Sequence, residues 1–107
     1  MLDMVRDLVG HQGYANAALL QAIGQHPPAA SDTEILRLLH HILIANRFWM
    51  LTIQGLPFVH EDEARAAASF DALVDRYRTT QEQETEWLAT ATESALARVL
   101  VDPLIPG

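Results

Sequence analysis

Two adjacent histidines, His40 and His41, lie near the start of the most apolar stretch of the sequence, LLHHILIANRFWMLTIQ, which runs from Leu38 to Gln54. Neutral imidazole binds divalent zinc, nickel or iron, and three protein ligands plus one open position make a catalytic metal site. Neighbouring residues on a helix point about 100° apart, so the two rings cannot easily bind one metal together. From spacing alone, a histidine on an apolar helix is more often a hydrogen-bonded structural group than a ligand.

Three other polar residues lie on stripes that are otherwise apolar. His11 is more typical of a hydrogen-bonded core histidine, and the alternative is that it lines a site. Glu84 is either a buried acid or ligand, or it meets water because the helix rotates or frays there, which is the interpretation we favour. We expect Asn46 to form a hydrogen bond across helices, with Asn16 as a candidate partner. His60, beside three acids, is interpreted as a solvated loop residue.

The composition excludes several classes of function. Fourteen acids against seven arginines and no lysine give a net charge of -7, which argues against a nucleic-acid partner. Cysteine is absent, so disulfides and thiolate metal sites are excluded. The N-terminus has no basic region of a secretory signal, and Asn46 and Arg47 break the longest apolar stretch before it could span a membrane. We expect residues 1–107 to form one cytoplasmic domain with no membrane partner.

The apolar periodicity predicts three long helices joined by short polar segments. The first runs from about Leu2 to Gln25, before Pro27 and Pro28. The second opens at a capping box formed by Ser31 and Glu34 and ends at Gly55, and the third opens with Ser69 as its N-cap. Residues 96–102 are predicted to form a strand or an extended arm. The apolar stripe of the first helix is formed by Met4, Leu8, Ala15, Leu19, Ala22 and Ile23, with His11 among them. The fold class is therefore all-α, an antiparallel helical bundle.

Motifs on all three helices resemble the DinB/YfiT-like superfamily of metalloenzymes. The first helix carries HQGYAN over residues 11–16, followed by Leu19 and Leu20, and the second carries LHHILIA over residues 39–45, followed by Trp49. The third helix ends in Trp87-Leu88. Each motif alone is short, and the resemblance rests on their order along nearly the whole chain.

The resemblance implies a four-helix bundle that holds a divalent metal, zinc, nickel or iron, and acts as a thiol-dependent S-transferase or a hydrolase on a small thiol substrate. His41 would be the ligand from the second helix, and His11 could line the site. The two remaining ligands of the family come from a His-x-x-x-His pair on a fourth helix, and these 107 residues contain no such pair. We therefore expect the chain to match the first three helices of a family member and its own metal site to be incomplete.

A second function belongs to a different class. The second helix is apolar on a further side, formed by Ile44, Phe48 and Leu51, which would need cover from another subunit if no fourth helix covers it. This pattern favours a homodimer, and the alternative function is a non-catalytic helical module for oligomerisation or binding.

Overall fold

A computed structural model describes residues 1–63, 65 and 69–97, with only the backbone described at Asp62. Besides the five helices named below, residues 93–97 are helical. The described residues contain no strand, which confirms the all-α prediction. The strand predicted over residues 96–102 is wrong at Leu96 and Ala97, which are helical, and its remainder lies outside the described residues. No helix in the described ranges is long and apolar enough to cross a membrane. The helices are α1 (Leu2–Gly24), α2 (Pro27–Ala30), α3 (Thr33–Ile53), α4 (His60–Glu63) and α5 (Phe70–Thr90).

The helix ends show which capping signals operate. Ser69 accepts a hydrogen bond from the backbone N–H of Ala72 at 3.1 Å, as predicted for the start of α5. The N-cap of α3 is Asp32, whose carboxylate accepts from the backbone N–H of Ile35 at 3.0 Å. The predicted capping box at Ser31 is therefore wrong, because the Ser31 hydroxyl follows α2 and donates instead to the carbonyl of Pro27, the first residue of that helix. Gly55, with φ of 73°, turns the chain out of α3.

Helices α1 and α5 pack antiparallel to each other. The Arg6 guanidinium donates to the Leu88 carbonyl at 2.7 Å, and the Gln81 amide donates to the Val9 carbonyl at 3.1 Å. Gln81 lies directly over Gly13, where a Cβ would be 2.4 Å from the Gln81 side-chain nitrogen. Gly13 therefore leaves room for the Gln81 amide between the two helices, despite the helix propensity that a glycine forfeits.

Helices α3 and α5 run parallel to each other. The Tyr77 hydroxyl donates to the Leu39 carbonyl at 2.6 Å, and Arg47 donates to the Thr80 hydroxyl at 3.1 Å, so the residue numbers rise together along both helices. The antiparallel prediction is thus right for α1 against α5 and wrong for α3 against α5. To join two parallel helices, the connection must run back along the full length of α3, which rises roughly 1.5 Å per residue. Residues 54–69 are long enough for this, since an extended chain spans about 3.3 Å per residue.

Among the described residues, two apolar clusters are separated by polar side chains. The cluster toward the start of α3 is formed by Leu20, Leu39, Leu43, Leu73 and Tyr77. The cluster toward its end is formed by Leu2, Leu88 and Leu96, with Val5, Val9 and Ile53 packed against it. Since residues from the beginning of α1 meet the end of α3, these two helices are antiparallel.

One apolar surface of the bundle is uncovered, and we call it the open face. Leu8 and Leu38 are both 59% exposed, and Trp49 is 46% exposed. The apolar stripe predicted for α1 is therefore mostly the exposed side of that helix. The buried side of α1 is the one that carries Leu2 and Leu20. The members of the open face, all exposed, are Met4, Leu8, His11, Ala15 and Leu19 on α1 and Leu38, His41, Ala45 and Trp49 on α3.

The two halves of the open face belong to one surface. On α1, Gly13 faces α5 and Gln12 faces α3, where it bonds Asn46. Successive residues of a helix are rotated by about 100°, so the α1 stripe lies past the side that faces α3 and points away from α5. The arrangement on α3 is the same: Arg47 faces α5, Asn46 faces α1, and Ala45 lies past the side that faces α1. The open face therefore spans α1 and α3 on the side opposite α5.

Candidate functional site

His41 lies on the open face of α3 and its side chain is exposed. The ring therefore does not point into a closed cavity of this chain, and it faces the side that a further helix or subunit could cover. His11 lies on the same face of α1 and is also exposed, so the interpretation that we favoured, a hydrogen-bonded core histidine, is wrong. Gln12 on α1 and Asn46 on α3 are in contact, so they lie at the same level of this antiparallel pair. His11 lies one residue from Gln12 and His41 lies five residues from Asn46, which separates the two histidines by about 9 Å along the bundle axis.

The described residues do not make a complete metal site. They contain no group of three or more histidine, aspartate or glutamate side chains that could hold a metal ion. A tetrahedral catalytic site needs three protein ligands, and His41 alone supplies one. The donor set of the described chain thus does not fit a resident metal, and any such site depends on ligands from elsewhere.

His40 belongs to a different environment from His41. It is half-buried, and its Nε2 lies 3.4 Å from Nη1 of Arg76 on α5. Burial lowers the pKa of His40, and the positive charge of Arg76 lowers that pKa further. His40 therefore lies between two helices of one chain, α3 and α5.

An ion-pair cluster joins α3, α4 and α5 next to His40. The Glu63 carboxylate accepts from Nε of Arg47, from Nη2 of Arg47 at 3.0 Å and from Nη2 of Arg76 at 3.2 Å. The hydrogen bond from Arg47 is the main reason why the pKa of Glu63 lies below its usual value, and burial acts in the opposite direction. Arg47 also donates to Thr80, which is 2% exposed. The cluster holds the connection against the two parallel helices.

A polar layer crosses the middle of the bundle between the two apolar clusters. The Gln12 amide donates to the side-chain oxygen of Asn46, which confirms a cross-helix bond at Asn46 but with Gln12 instead of Asn16 as the partner. Asn16 lies one turn away and is half-buried. This layer carries amides instead of apolar side chains at the level where α1 meets α3.

Glu84 is the acid of this layer. It is half-buried, and burial raises the pKa of its carboxyl to about 7. Among the described residues, no donor forms a hydrogen bond with Glu84 and no cation pairs with it. The side chain is half-buried, yet its carboxyl oxygens reach water, as we expected, although α5 continues unbroken past this residue to Thr90.

Two grooves border Glu84 and Asn46. The long groove, about 600 Å³, runs between α1 and α5 past Ala17, Leu20, Val74 and Tyr77. The short groove, about 250 Å³, lies among the three long helices and is lined by Val5, Val9, Met50, Ile53 and the indoles of Trp49 and Trp87. Small-molecule sites in proteins are typically apolar clefts of roughly 300–1,000 Å³ with a few polar groups. The long groove is within that range, and Glu84 is the acid that it shares with the short groove.

The side of α3 that we expected a second subunit to cover is partly covered by the chain itself. Leu51 is buried, and the Phe48 ring packs edge-on against Phe58 of the connection at a centroid distance of 5.2 Å. Of these side chains Phe48 alone is exposed, whereas the open face exposes Met4, Leu8, Leu19, Leu38 and Trp49. The α1 half of the open face was predicted as a stripe but not as an exposed one.

No protein-family model, curated protein or solved structure matches this chain. The structure alone therefore shows the all-helical fold, and the resemblance to the DinB/YfiT-like superfamily rests on the motifs of the three helices.

Proposed function

We propose that this chain forms the first three helices of a DinB/YfiT-like four-helix bundle, and that the completed bundle is a divalent-metal-dependent enzyme with His41 as one ligand. The observation that carries the proposal is the position of His41 on the open face. A ligand that shares its metal with residues of a fourth helix must face the place where that helix packs. His41 does so, whereas His40 faces α5.

The open face supplies the driving force for adding a helix. Burying a large apolar side chain contributes about 1.5–3 kcal/mol. Leu8 and Leu38 are each 59% exposed, so cover by an apolar helix would remove much of their surface from water. Such a helix would lie between α1 and α3, opposite α5, and would close a square bundle. Its two histidines have to come from outside these 107 residues, whose last histidine is His60.

The substrate class follows from the resemblance alone. A small thiol is the proposed substrate, in an S-transfer or hydrolytic reaction, and zinc, nickel or iron is the proposed metal. The net charge of -7 supports a function without nucleic acid. The proposed location is the cytoplasm.

Metal analysis tests this proposal. The bundle completed by a fourth helix, purified without an affinity tag, is expected to hold near-stoichiometric zinc, nickel or iron, because imidazole is a good ligand for each. His41→Ala is expected to lose most of that metal. His40→Ala is the matched control, since its ring is engaged with Arg76, and it is expected to keep the metal. Protein that takes up none of the three metals, or a His41→Ala variant with unchanged metal content, would contradict the proposal.

The exposed leucines of the open face favour a second candidate function, a non-catalytic module that forms a homodimer through this face. We expect sedimentation velocity to show a dimer that dissociates on dilution. Leu38→Glu should weaken the dimer at least tenfold, because it places a charge in a desolvated apolar interface. Leu56→Glu, also at an exposed leucine but in the connection, is the control. A chain that stays monomeric at high concentration, and binds no dye for exposed apolar surface, would remove this candidate.

A further inference from the structure

The junction of the two grooves has the composition of a small-molecule site. One carboxyl, that of Glu84, lies among apolar walls, and the Asn46 amide lies beside it on the border of both grooves. An acid without a partner is costly to place between apolar helices, as its raised pKa records. The carboxyl oxygens of Glu84 reach solvent, so a ligand in the grooves can contact them and supply the charged partner that no described residue provides.

The lining of the long groove favours a cation as that partner. Two further acids, Glu82 and Asp71, line this groove together with Arg78, with Asp71 about 20 Å from Glu84 along α5. Arg78 is already paired with Asp75 at 2.9 Å. Arg47, the other cation close to this layer through Thr80, is bound by Glu63. In the described residues, α1 and α3 contribute neutral side chains to the lining of both grooves.

We propose that the junction binds a protonated amine with an apolar body, whose ammonium group pairs with Glu84. The Asn46 side-chain oxygen accepts one hydrogen bond from Gln12 and has a second lone pair for the ammonium. The apolar body lies in the short groove, against the indoles of Trp49 and Trp87. Indole faces are suited to an aromatic or aliphatic amine, both by area and by cation–π attraction.

The pH dependence follows from the ionisation of Glu84. An alkylamine stays protonated through neutral pH, whereas Glu84, with a pKa of about 7, gains its charge between pH 6 and 8. The ammonium ligand is bound by the carboxylate form, so its affinity should rise over this interval. Asp71, Glu82 and Arg78 on α5 are the other charged groups of the lining, and α1 and α3 add neutral side chains to the described lining.

Three probes of similar shape and different charge test the proposal at pH 8. Phenethylamine carries the ammonium group, phenethyl alcohol is neutral, and hydrocinnamate is an anion. Tryptophan fluorescence is a direct reporter, because Trp49 and Trp87 line the short groove, and calorimetry gives the affinities. We expect phenethylamine to bind at least tenfold more tightly than the alcohol, and hydrocinnamate more weakly than either. Equal affinities for amine and alcohol, or no binding of the amine, would overturn the proposal.

Variants then assign the charge to one residue. Glu84→Gln keeps the size of the side chain and removes its charge, so it is expected to weaken phenethylamine at least tenfold, to leave the alcohol unchanged and to abolish the rise between pH 6 and 8. Glu82→Gln on the groove rim is the matched control and should change the amine affinity less than threefold. His41→Ala should not change it, which separates this site from the proposed metal site. A Glu84→Gln variant that binds the amine as tightly as the native protein does would show that the assignment is wrong.

Discussion

Leu73→Ala is expected to lower the free energy of unfolding by about 2–5 kcal/mol, the usual cost of a leucine-to-alanine cavity in a packed interior. Leu73 is 1% exposed and belongs to the cluster in which α1, α3 and α5 all meet. Its removal leaves a void beside Leu39 and Tyr77, whose own hydrogen bond restricts how far the helices can collapse. Urea denaturation followed by circular dichroism at pH 7 measures the change.

The control for this prediction is Leu8→Ala, which removes the same atoms from the open face. Leu8 is 59% exposed. In dilute protein we expect its cost to stay within about 0.5 kcal/mol, the usual range for surface substitutions. A Leu8→Ala cost that equals that of Leu73→Ala would mean that the open face is covered in solution. A Leu73→Ala cost below 1 kcal/mol would instead contradict the packing of the three long helices.

The contrast between these two leucines also shows what periodicity could and could not predict. The spacing of Met4, Leu8, His11 and Ala15 correctly places them on one side of a helix. A period of 3.6 residues shows which side chains share a side, but it does not show which side is buried. On α1, Leu2, Val5, Val9 and Leu20 form a second apolar side, and that is the side the structure buries. A helix with two apolar sides already indicates contact with more than one neighbour.

The residues of the candidate site were predictable from the sequence, but their arrangement was not. The sequence marks Glu84 and Asn46 as polar residues on apolar stripes, and the structure places both on the border of the same two grooves. Their junction was not predictable, because it depends on the register of α3 against α5 and on the parallel direction of that pair. The exposed position of His41 depends on the same packing. The sequence does carry a signal for the ion-pair cluster, namely an arginine within an apolar helix and an acidic run in the following connection.

That cluster gives the second large effect, which is expected from Glu63→Gln. The Glu63 side chain is 13% exposed and that of Arg47 is 18% exposed, so the pair is largely shielded from water. Removing the charge leaves Arg47 and Arg76 facing each other across a neutral amide. A hydrogen bond to a charged group contributes about 1.5–3 kcal/mol, and at pH 7 we expect the variant to lose about 2 kcal/mol of the free energy of unfolding. Glu61→Gln, at an exposed neighbour in the same helical turn, is the control and should change little.

The pH profile identifies the cause of that loss. The pKa of Glu63 is lowered in the folded protein, so the native state binds its proton less readily than the unfolded chain does. The carboxylate therefore stabilises the fold fully above its unfolded pKa of about 4.5, and this stabilisation is lost as the pH falls through the lower folded pKa. We expect the difference between the native protein and Glu63→Gln to be constant from pH 6 to 7 and to shrink steadily below pH 4.5, as measured by urea denaturation at each pH. A difference that persists unchanged at pH 3 would mean that the loss comes from packing at α4 and not from the charge of Glu63.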